Sequence, residues 1–279
     1  SYYVTTYLHR AGHEVHYYGY KESTVECTKK WECGDSEFLE EYYVTDFKTN
    51  HWVDSQDGNH IFINNAIDHL SSNCQNGDII LCMWSPWVTS LSQTILKELP
   101  QVKIVDAHIG HQEFFIGTNY RVFASDANKH IWHTKNPNTP LWQSATIYPM
   151  ANDLNNFKYN KDKEDYFLFI GRLTHTKGLD IFTSLAEHFP NKSFKVAGQG
   201  HYEYPPLPNL EFLGLLDVPN RKEYMSNAKA VISPSHYAEP FGLTAVEAGL
   251  SGTPIISTDW GGYCETVVNE VNGFRCTYF

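Results

Sequence analysis

The chain has 279 residues, which is enough for two domains of ordinary size, and its hydrophobic content of 42% is enough to build their cores. Its formal net charge of −11 argues against nonspecific nucleic-acid binding, because such binding needs a basic face. For the same reason, an anionic ligand would have to be met by local cations and backbone amides.

The cysteines and the hydropathy pattern suggest where the protein works. The six cysteines form no CxxC pair, and no histidine pattern completes a zinc site, so we expect reduced thiols, no bound metal and a cytoplasmic location. No apolar run is long enough to span a bilayer, which does not exclude a peripheral membrane contact.

The first part of the chain alternates strand and helix patterns. A helix-like segment opens the chain and ends at Gly12. Strands are predicted at Glu14–Tyr20, Asp78–Trp84, Val102–Gly110, Arg121–Ser125 and Thr146–Met150. Helices are predicted at His60–Leu70, Pro86–Leu99 and Asp126–His133. Residues 21–60 follow no clear pattern, apart from a possible strand at Glu41–Phe47.

The second part restarts the same pattern after a polar segment. Residues 151–165 lose apolar periodicity and gain charge, which is typical of a linker between a domain at 1–150 and another at 166–279. Strands are predicted at Tyr166–Arg172, Ser193–Gly200 and Leu210–Gly214, and helices at Gly178–Phe189 and Asn220–Ala228. The alternation predicts an α/β fold with doubly wound parallel sheets. Such a domain normally begins with a strand and a glycine-rich turn, so we expect a truncated chain that lacks this first strand and the C-terminal helices.

The most informative stretch runs from Ser233 to Glu265 and reads as loop, helix, strand and loop. The amides of Phe241, Gly242, Leu243 and Thr244 are predicted to form a helix N-terminus, which attracts anions or sugar oxygens. Glu239 precedes this helix and Glu247 lies within it, and carboxylates placed in this way accept hydrogen bonds from hydroxyl groups. In the alternative interpretation, Glu239 caps the helix and Glu247 is a solvated surface residue.

Two further groups suit a phosphate ligand. Arg172 and Lys177 lie between a predicted strand and the following helix, where doubly wound sheets bind ligands. Arginine binds a diphosphate bidentately and lysine adds a point charge, although isolated loop cations are more often simply solvated. Gly198 and Gly200 follow another strand and allow close approach of a backbone, but any tight turn would use them.

Together these residues resemble the EX7E group of retaining glycosyltransferases, which comprises glycosyltransferase family 4 and its relatives. The matching string runs from Glu239 to Glu247, and a GR…KG string precedes it at Gly171–Gly178. Further matches are Gly252-Thr253-Pro254, Asp259-Trp260-Gly261-Gly262 and Glu265. The resemblance is strong over 166–276, moderate over 1–19 and poor between 21 and 60.

The resemblance implies a GT-B-like fold, in which two Rossmann-type domains face a cleft. It also implies retaining transfer of a sugar from a nucleotide-diphosphate-sugar donor to a hydroxyl group of a carbohydrate, lipid-linked or small-molecule acceptor. Glu239 would hold the donor sugar, Glu247 the ribose, and Arg172 with Lys177 the departing diphosphate. No metal and no cofactor besides the donor is needed in this scheme, because the cations replace the metal.

The first domain is expected to supply the acceptor side. The resemblance suggests that His108 or His111 faces the cleft, although most of the 14 histidines are expected to be surface or packed residues. Ser125 resembles a recurring serine in related enzymes, and helix capping explains it equally well.

Three rival functions fit parts of the sequence. A nucleotide-sugar epimerase on the same fold would need no acceptor, and a truncated nucleotide-sugar-binding module would turn over nothing. A Rossmann-type redox protein is disfavoured, because no G-x-G-x-x-G lies between a strand and a helix with an acid some twenty residues further on.

Overall fold

The computed structural model describes residues 2–42, 56–83, 88–108, 120–149, 157–200, 203 and 206–277. The chain divides into two compact units, the first ending at Val122 and the second beginning at Phe123. Among the described helices, none is both long and apolar enough to cross a membrane.

The first unit contains short parallel strand pairs and helices. Its helices are α1 (Tyr2–Arg10), α2 (Ser36–Tyr42), α3 (Gln56–Asn73) and α4 (Val88–Glu98). Its strands are β1 (His16–Tyr20), β2 (Lys29–Gly34), β3 (Ile79–Cys82) and β4 (Lys103–His108), and the unit boundary falls within β5 (Tyr120–Phe123). β1 pairs with β2 and β3 with β4, both in parallel. The buried side chains of Leu70, Ile95, Val102 and Ile104 form the core beside β3 and β4.

The second unit is built around a six-stranded sheet. Its strands are β6 (Ser144–Thr146), β7 (Tyr166–Ile170), β8 (Ser193–Ala197), β9 (Leu210–Gly214), β10 (Ala230–Ser233), β11 (Ile255–Thr258) and β12 (Gly273–Cys276). Its helices are α5 (Asp126–Lys135), α6 (Leu179–His188), α7 (Val218–Asn227), α8 (Leu243–Leu250) and α9 (Tyr263–Thr266). The sheet order is β12-β11-β10-β7-β8-β9, and all of its neighbouring strands pair in parallel.

Helices cover both faces of this sheet, which explains the apolar strand sequences. α6 contributes Leu179, Phe182 and Ala186 to the core on one face. α7, α8 and α9 contribute Met225, Ala248 and Tyr263 to a second core cluster. A strand covered on both sides reads as a near-continuous apolar run, and all four residues of β10 are buried. The predicted α/β class with parallel sheets is confirmed.

The strand order contains a topological switch point. From β7 the chain adds β8 and β9 on one side, and then returns to place β10 on the other side of β7. In open parallel sheets, ligands bind in the crevice outside the carboxyl ends of the strands at such a point. The loops that follow β7 and β10 therefore lie where a ligand is expected.

Some predicted elements differ from the observed ones. The strand predicted at Glu41–Phe47 is wrong at its start, because α2 continues through Tyr42; its remainder lies outside the described residues. β2 was not predicted, since its charged sequence KKWECG lacks a clear strand pattern. β6 covers Ser144–Thr146, earlier than the predicted Thr146–Met150.

The polar segment before β7 is anchored to the second unit in its described part. Lys163 Nζ donates to the carbonyl oxygens of Ser226 and Ser251 and to Thr253 Oγ1, at 2.6, 3.2 and 2.8 Å. The domain limits expected from the sequence, 1–150 and 166–279, stay a prediction.

Candidate functional site

Glu239 lies in the loop that joins β10 to α8, and its carboxylate is enclosed by donors. Its side chain is only 8% exposed. Oε1 accepts hydrogen bonds from Ser235 Oγ at 2.9 Å and from Lys177 Nζ at 2.5 Å. Oε2 accepts one from Tyr237 OH at 2.9 Å. A buried carboxylate needs such partners, because burial without them is costly.

Lys177 reaches this carboxylate from the loop after β7. It ends the 3₁₀ turn His175–Lys177, and its side chain is 19% exposed. Its ammonium also donates to Tyr237 OH at 2.8 Å. Burial and the neighbouring Glu239 carboxylate raise the pKa of Tyr237, so its hydroxyl stays protonated and donates to Glu239. The two loops at the switch point are therefore joined by one charged network.

Arg172 lies in the same loop and is exposed. Within the part of the chain that the structure describes, no ion pair is formed by its guanidinium. The positive charge of Arg172 lowers the pKa of Tyr237 and so partly offsets the effects of burial and of Glu239. The guanidinium is therefore close enough to act electrostatically on this network. An exposed guanidinium in the same loop as the partly buried Lys177 suits an anionic ligand that arrives from solvent.

Helix α8 begins within the stretch in which the sequence predicts a helix N-terminus. The helix begins at Leu243, and Gly242 is its N-cap with a φ of +84°. The amides of Leu243 and Thr244 therefore lie in the first turn, whereas those of Phe241 and Gly242 precede the helix. Among the described residues, none of these four amides donates a hydrogen bond to the protein. Phe241 itself is 9% exposed and stacks on Tyr148, with ring centroids 5.7 Å apart.

Gly261 and Gly262 pack against the backbone of the loop that carries Glu239. The amide of Gly262 donates to the carbonyl oxygen of Glu239 at 2.6 Å. A Cβ at Gly262 would lie 2.4 Å from the Cα of Phe241, and one at Gly261 would lie 2.6 Å from the oxygen of Glu239. The backbone before α8 thus packs directly on the glycine pair, which leaves no space for side chains there.

Glu247 is buried on α8 and paired with a residue of α7. Its side chain is 8% exposed, and Arg221 Nη2 donates to Oε1 at 2.9 Å. Burial raises the pKa of Glu247, and the charges of Arg221 and Lys222 partly oppose this rise. Glu247 is therefore not the solvated surface residue of the alternative interpretation, and Glu239 does not cap α8 through its side chain.

Close packing of the backbone explains why a glycine stands in the turn after β8. A Cβ at Gly198 would lie 1.7 Å from the carbonyl oxygen of Gly171, so the loops after β7 and β8 touch through their backbones. Gly200 has a φ of +112°, a conformation that favours glycine. Close packing accounts for Gly198 without a ligand.

The remaining predicted residues lie elsewhere. His108 ends β4, where the structure describes its backbone only, and His111 lies outside the described residues. Ser125 caps α5 by accepting from the amide of Asn128 at 3.0 Å, and its hydroxyl donates to the carbonyl oxygen of Pro240 at 2.6 Å. The carboxylate of Glu265 accepts from the first two amides of α5, at 3.0 and 2.6 Å.

Sequence reasoning missed three residues of the site. Ser235 and Tyr237 bind Glu239, and their position between a buried strand and that acid is the only signal for them. Arg221 was also missed, because its pairing with Glu247 depends on the packing of α7 on α8. No local sequence pattern reports that contact.

Comparison with known proteins shows what the second unit is similar to. Residues 152–277 match the sequence model of the family described as "Glycosyl transferases group 1". This part of the chain is therefore similar to glycosyltransferase group 1 domains. The match includes the loops of Lys177 and Glu239, and it covers the whole six-stranded sheet.

Relatives in sequence show a similarity of the same kind. An uncharacterized glycosyltransferase of Methanocaldococcus jannaschii is 32% identical over 164 residues, which are 49% of this chain and 41% of that protein. A glycogen synthase of Mycobacterium tuberculosis is 33% identical over 122 residues, 39% of this chain and 29% of that protein. The matched segments thus span less than half the length of these relatives.

Solved structures show the same fold. Sucrose-phosphate synthase of Thermosynechococcus elongatus superposes with a TM-score of 0.71 at 17% identity, over 99% of this chain and 78% of that one. HepE of Anabaena, in complex with UDP and glucose, gives a TM-score of 0.64 at 17% identity, over 77% of this chain and 67% of that one. The fold of the chain is that of GT-B glycosyltransferases, consistent with two Rossmann-like domains.

Proposed function

We propose that the protein is a retaining glycosyltransferase of the family 4 type, which moves a sugar from a nucleotide-diphosphate-sugar to a hydroxyl acceptor. One observation carries the proposal: the buried Glu239 and the cation Lys177 meet at 2.5 Å at the switch point of the parallel sheet. Support also comes from HepE and starch synthase IV of Arabidopsis thaliana, whose structures contain UDP with glucose and ADP with acarbose.

In this proposal the cations hold the donor diphosphate. The ammonium of Lys177 has three N–H groups, of which two donate to Glu239 and Tyr237 in the described part of the chain. The third is available to a phosphate oxygen, and Arg172 adds a bidentate donor. As the bond from the anomeric carbon to the diphosphate breaks, negative charge grows on the leaving group, where both cations stabilise it. No metal ion is required for this step.

The two acids then hold the sugar and the ribose. Glu239 accepts hydrogen bonds from donor-sugar hydroxyls and stabilises positive character at the anomeric carbon. Glu247 accepts one from the ribose, and the amides of Leu243 and Thr244 donate to sugar or phosphate oxygens. The acceptor oxygen forms the new bond to the anomeric carbon on the face that the diphosphate leaves. Its proton passes to the departing phosphate oxygen.

A thermal-shift screen with UDP, GDP, ADP, CMP and their sugar conjugates tests donor binding. A ligand at 100 times its Kd stabilises the folded protein by about 2.7 kcal/mol. We expect one nucleoside diphosphate to raise the Tm, and Arg172→Ala to reduce that rise. Lys192→Ala is the matched control, since it removes an exposed cation elsewhere in the second unit. No shift with any nucleotide would refute donor binding.

Turnover of the identified donor tests the chemistry. Glu239→Gln is expected to lower kcat at least about 10²-fold, a typical loss for a group that stabilises transition-state charge. Its effect on the nucleotide-induced Tm shift should be small. Equal turnover in the variant would remove the catalytic role of Glu239. Binding without turnover by the unaltered protein would indicate a binding module, and a rearranged donor sugar without an acceptor would indicate an epimerase.

A further inference from the structure

Three metal-ligating side chains meet beside the loops of Lys177 and Glu239, and the proposed transfer uses none of them. His175 begins the 3₁₀ turn after β7, Asp180 lies in the first turn of α6, and His236 lies in the loop after β10. His236 Nε2 is 2.8 and 2.9 Å from the two carboxylate oxygens of Asp180. His175 Nε2 is 3.6 Å from Asp180 Oδ2. The two imidazole rings stack with centroids 4.3 Å apart.

The backbone brings these groups together independently of their side chains. The amide of His236 donates to the carbonyl oxygen of Thr176 at 3.0 Å, and the amide of Gly178 donates to that of His175 at 2.8 Å. Gly178 has a φ of +74°, and a Cβ there would lie 1.9 Å from the carbonyl oxygen of Pro234. Glycine at this position therefore allows the two loops to touch. The three side chains are preorganised by main-chain contacts.

We propose that His175, Asp180 and His236 bind one divalent transition-metal ion of the Zn²⁺ type. One ligand atom from each residue lies within 4.8 Å of the other two. Ligands about 2.1 Å from a tetrahedral Zn²⁺ lie about 3.4 Å from one another. The observed separations from Asp180 Oδ2, 2.9 Å to His236 Nε2 and 3.6 Å to His175 Nε2, lie on either side of this value.

The donor set selects the kind of ion. Two imidazole nitrogens and one carboxylate suit Zn²⁺, Cu²⁺ or Ni²⁺, whereas Ca²⁺ and Mg²⁺ prefer oxygen ligands only. The side chain of His175 is 71% exposed, so an ion can enter from solvent and keep water at its open positions. Each imidazole binds through the Nε2 lone pair, and any proton on that nitrogen is released to solvent.

An ion at this place joins two loops that carry other charged groups. Lys177 is two residues after His175, and Glu239 is three residues after His236. The ion therefore adds a further link between loops that already share the Lys177–Glu239 pair. Binding of the ion is a property of the folded second unit and does not depend on the proposed transfer reaction.

Titration of the purified protein with Co²⁺ tests the proposal, because Co²⁺ replaces Zn²⁺ and absorbs visible light. We expect one ion per chain, with weak visible bands of a nitrogen and oxygen site and without the near-ultraviolet band of cobalt thiolate. Zn²⁺ should displace the Co²⁺. His175→Gln removes an exposed ligand without disturbing the core, and it should weaken binding at least about tenfold.

Two further variants complete the test. His236→Ala should abolish the visible bands, and His188→Ala, which removes an exposed histidine at the end of α6, should leave the titration unchanged. Unchanged Co²⁺ binding in His175→Gln or in His236→Ala would overturn the proposal. So would a thiolate band, because it would assign the ion to cysteines. A protein that binds no Co²⁺ would show that the three residues form only a hydrogen-bonded stack.

Discussion

Replacement of Lys177 by methionine tests whether the buried pair with Glu239 organises the switch point. The change keeps the length of the side chain and removes its charge. The Glu239 carboxylate, 8% exposed, would keep Ser235 and Tyr237 as donors and lose its only cationic partner within the described residues. Removal of one partner of a buried pair costs 3–5 kcal/mol. Because Lys177 is 19% exposed, we expect the lower end, about 3 kcal/mol.

The assay is thermal unfolding of Lys177→Met, Glu239→Gln and the double variant. For a unit of this size, a loss of 3 kcal/mol lowers the Tm by about 6–12 °C. Leu168→Ala, which empties a fully buried core position, identifies the transition of the second unit. The double variant removes both charges, so its loss should be smaller than the sum of the single losses by about 1–3 kcal/mol.

The control variant uses an exposed pair of equal length. Lys229 Nζ is also 2.5 Å from Asp165 Oδ1, but these side chains are 48% and 65% exposed. Lys229→Met should leave the stability nearly unchanged, because water screens exposed pairs. The reasoning fails if Lys177→Met is no more destabilising than Lys229→Met. It also fails if the losses in the double-variant cycle simply add.

Two further predictions concern backbone geometry and pH. Gly178 and Gly214 have the same φ of +74°, but a Cβ at Gly178 would lie 1.9 Å from the oxygen of Pro234, whereas one at Gly214 meets nothing within 4 Å. Gly214→Ala should therefore lower the free energy of unfolding by about 1–2 kcal/mol, and Gly178→Ala should lower it clearly more. Urea unfolding measures both losses, and equal losses would contradict the close approach of Gly178 to Pro234. Burial raises the pKa of Asp106 from 3.8 to about 6, so its contribution to stability is fully present below pH 3.8 and is lost as the pH rises through 6. Between pH 4 and pH 7 the stability of the protein relative to Asp106→Asn should fall by about 2 kcal/mol, and a constant difference would contradict this assignment.

The periodic elements of the second unit were predictable because their signals are local. A strand covered on both faces must be apolar along its length, and YFLFI (Tyr166–Ile170) and AVIS (Ala230–Ser233) satisfy this rule. The predicted strand at Leu210–Gly214 has the observed bounds. The elements near the start of the first unit were harder to predict. KKWECG (Lys29–Gly34) has no clear strand pattern and forms a strand by pairing with β1.

The candidate site was partly predictable. Arg172, Lys177 and Glu239 stood out because they lie in loops after buried strands. Glu247 stood out because it lies in the helix that Glu239 precedes. The direct contact of Lys177 with Glu239 was not predicted, since it depends on the placement of β10 beside β7. The roles of these residues in transfer, and those of His108 and His111, stay predictions.

Local sequence patterns were enough to locate the strands and helices of the second unit and the loops that carry charged groups, because both properties depend on neighbouring residues. Which of these charged groups meet depends instead on how the strands are arranged in the sheet. Lys177 and Glu239 are 62 residues apart in the chain, which is much farther than a local sequence pattern extends. The order β12-β11-β10-β7-β8-β9 brings their loops to one edge of the sheet. The same order places His236 against Asp180, where no sequence motif indicated a site.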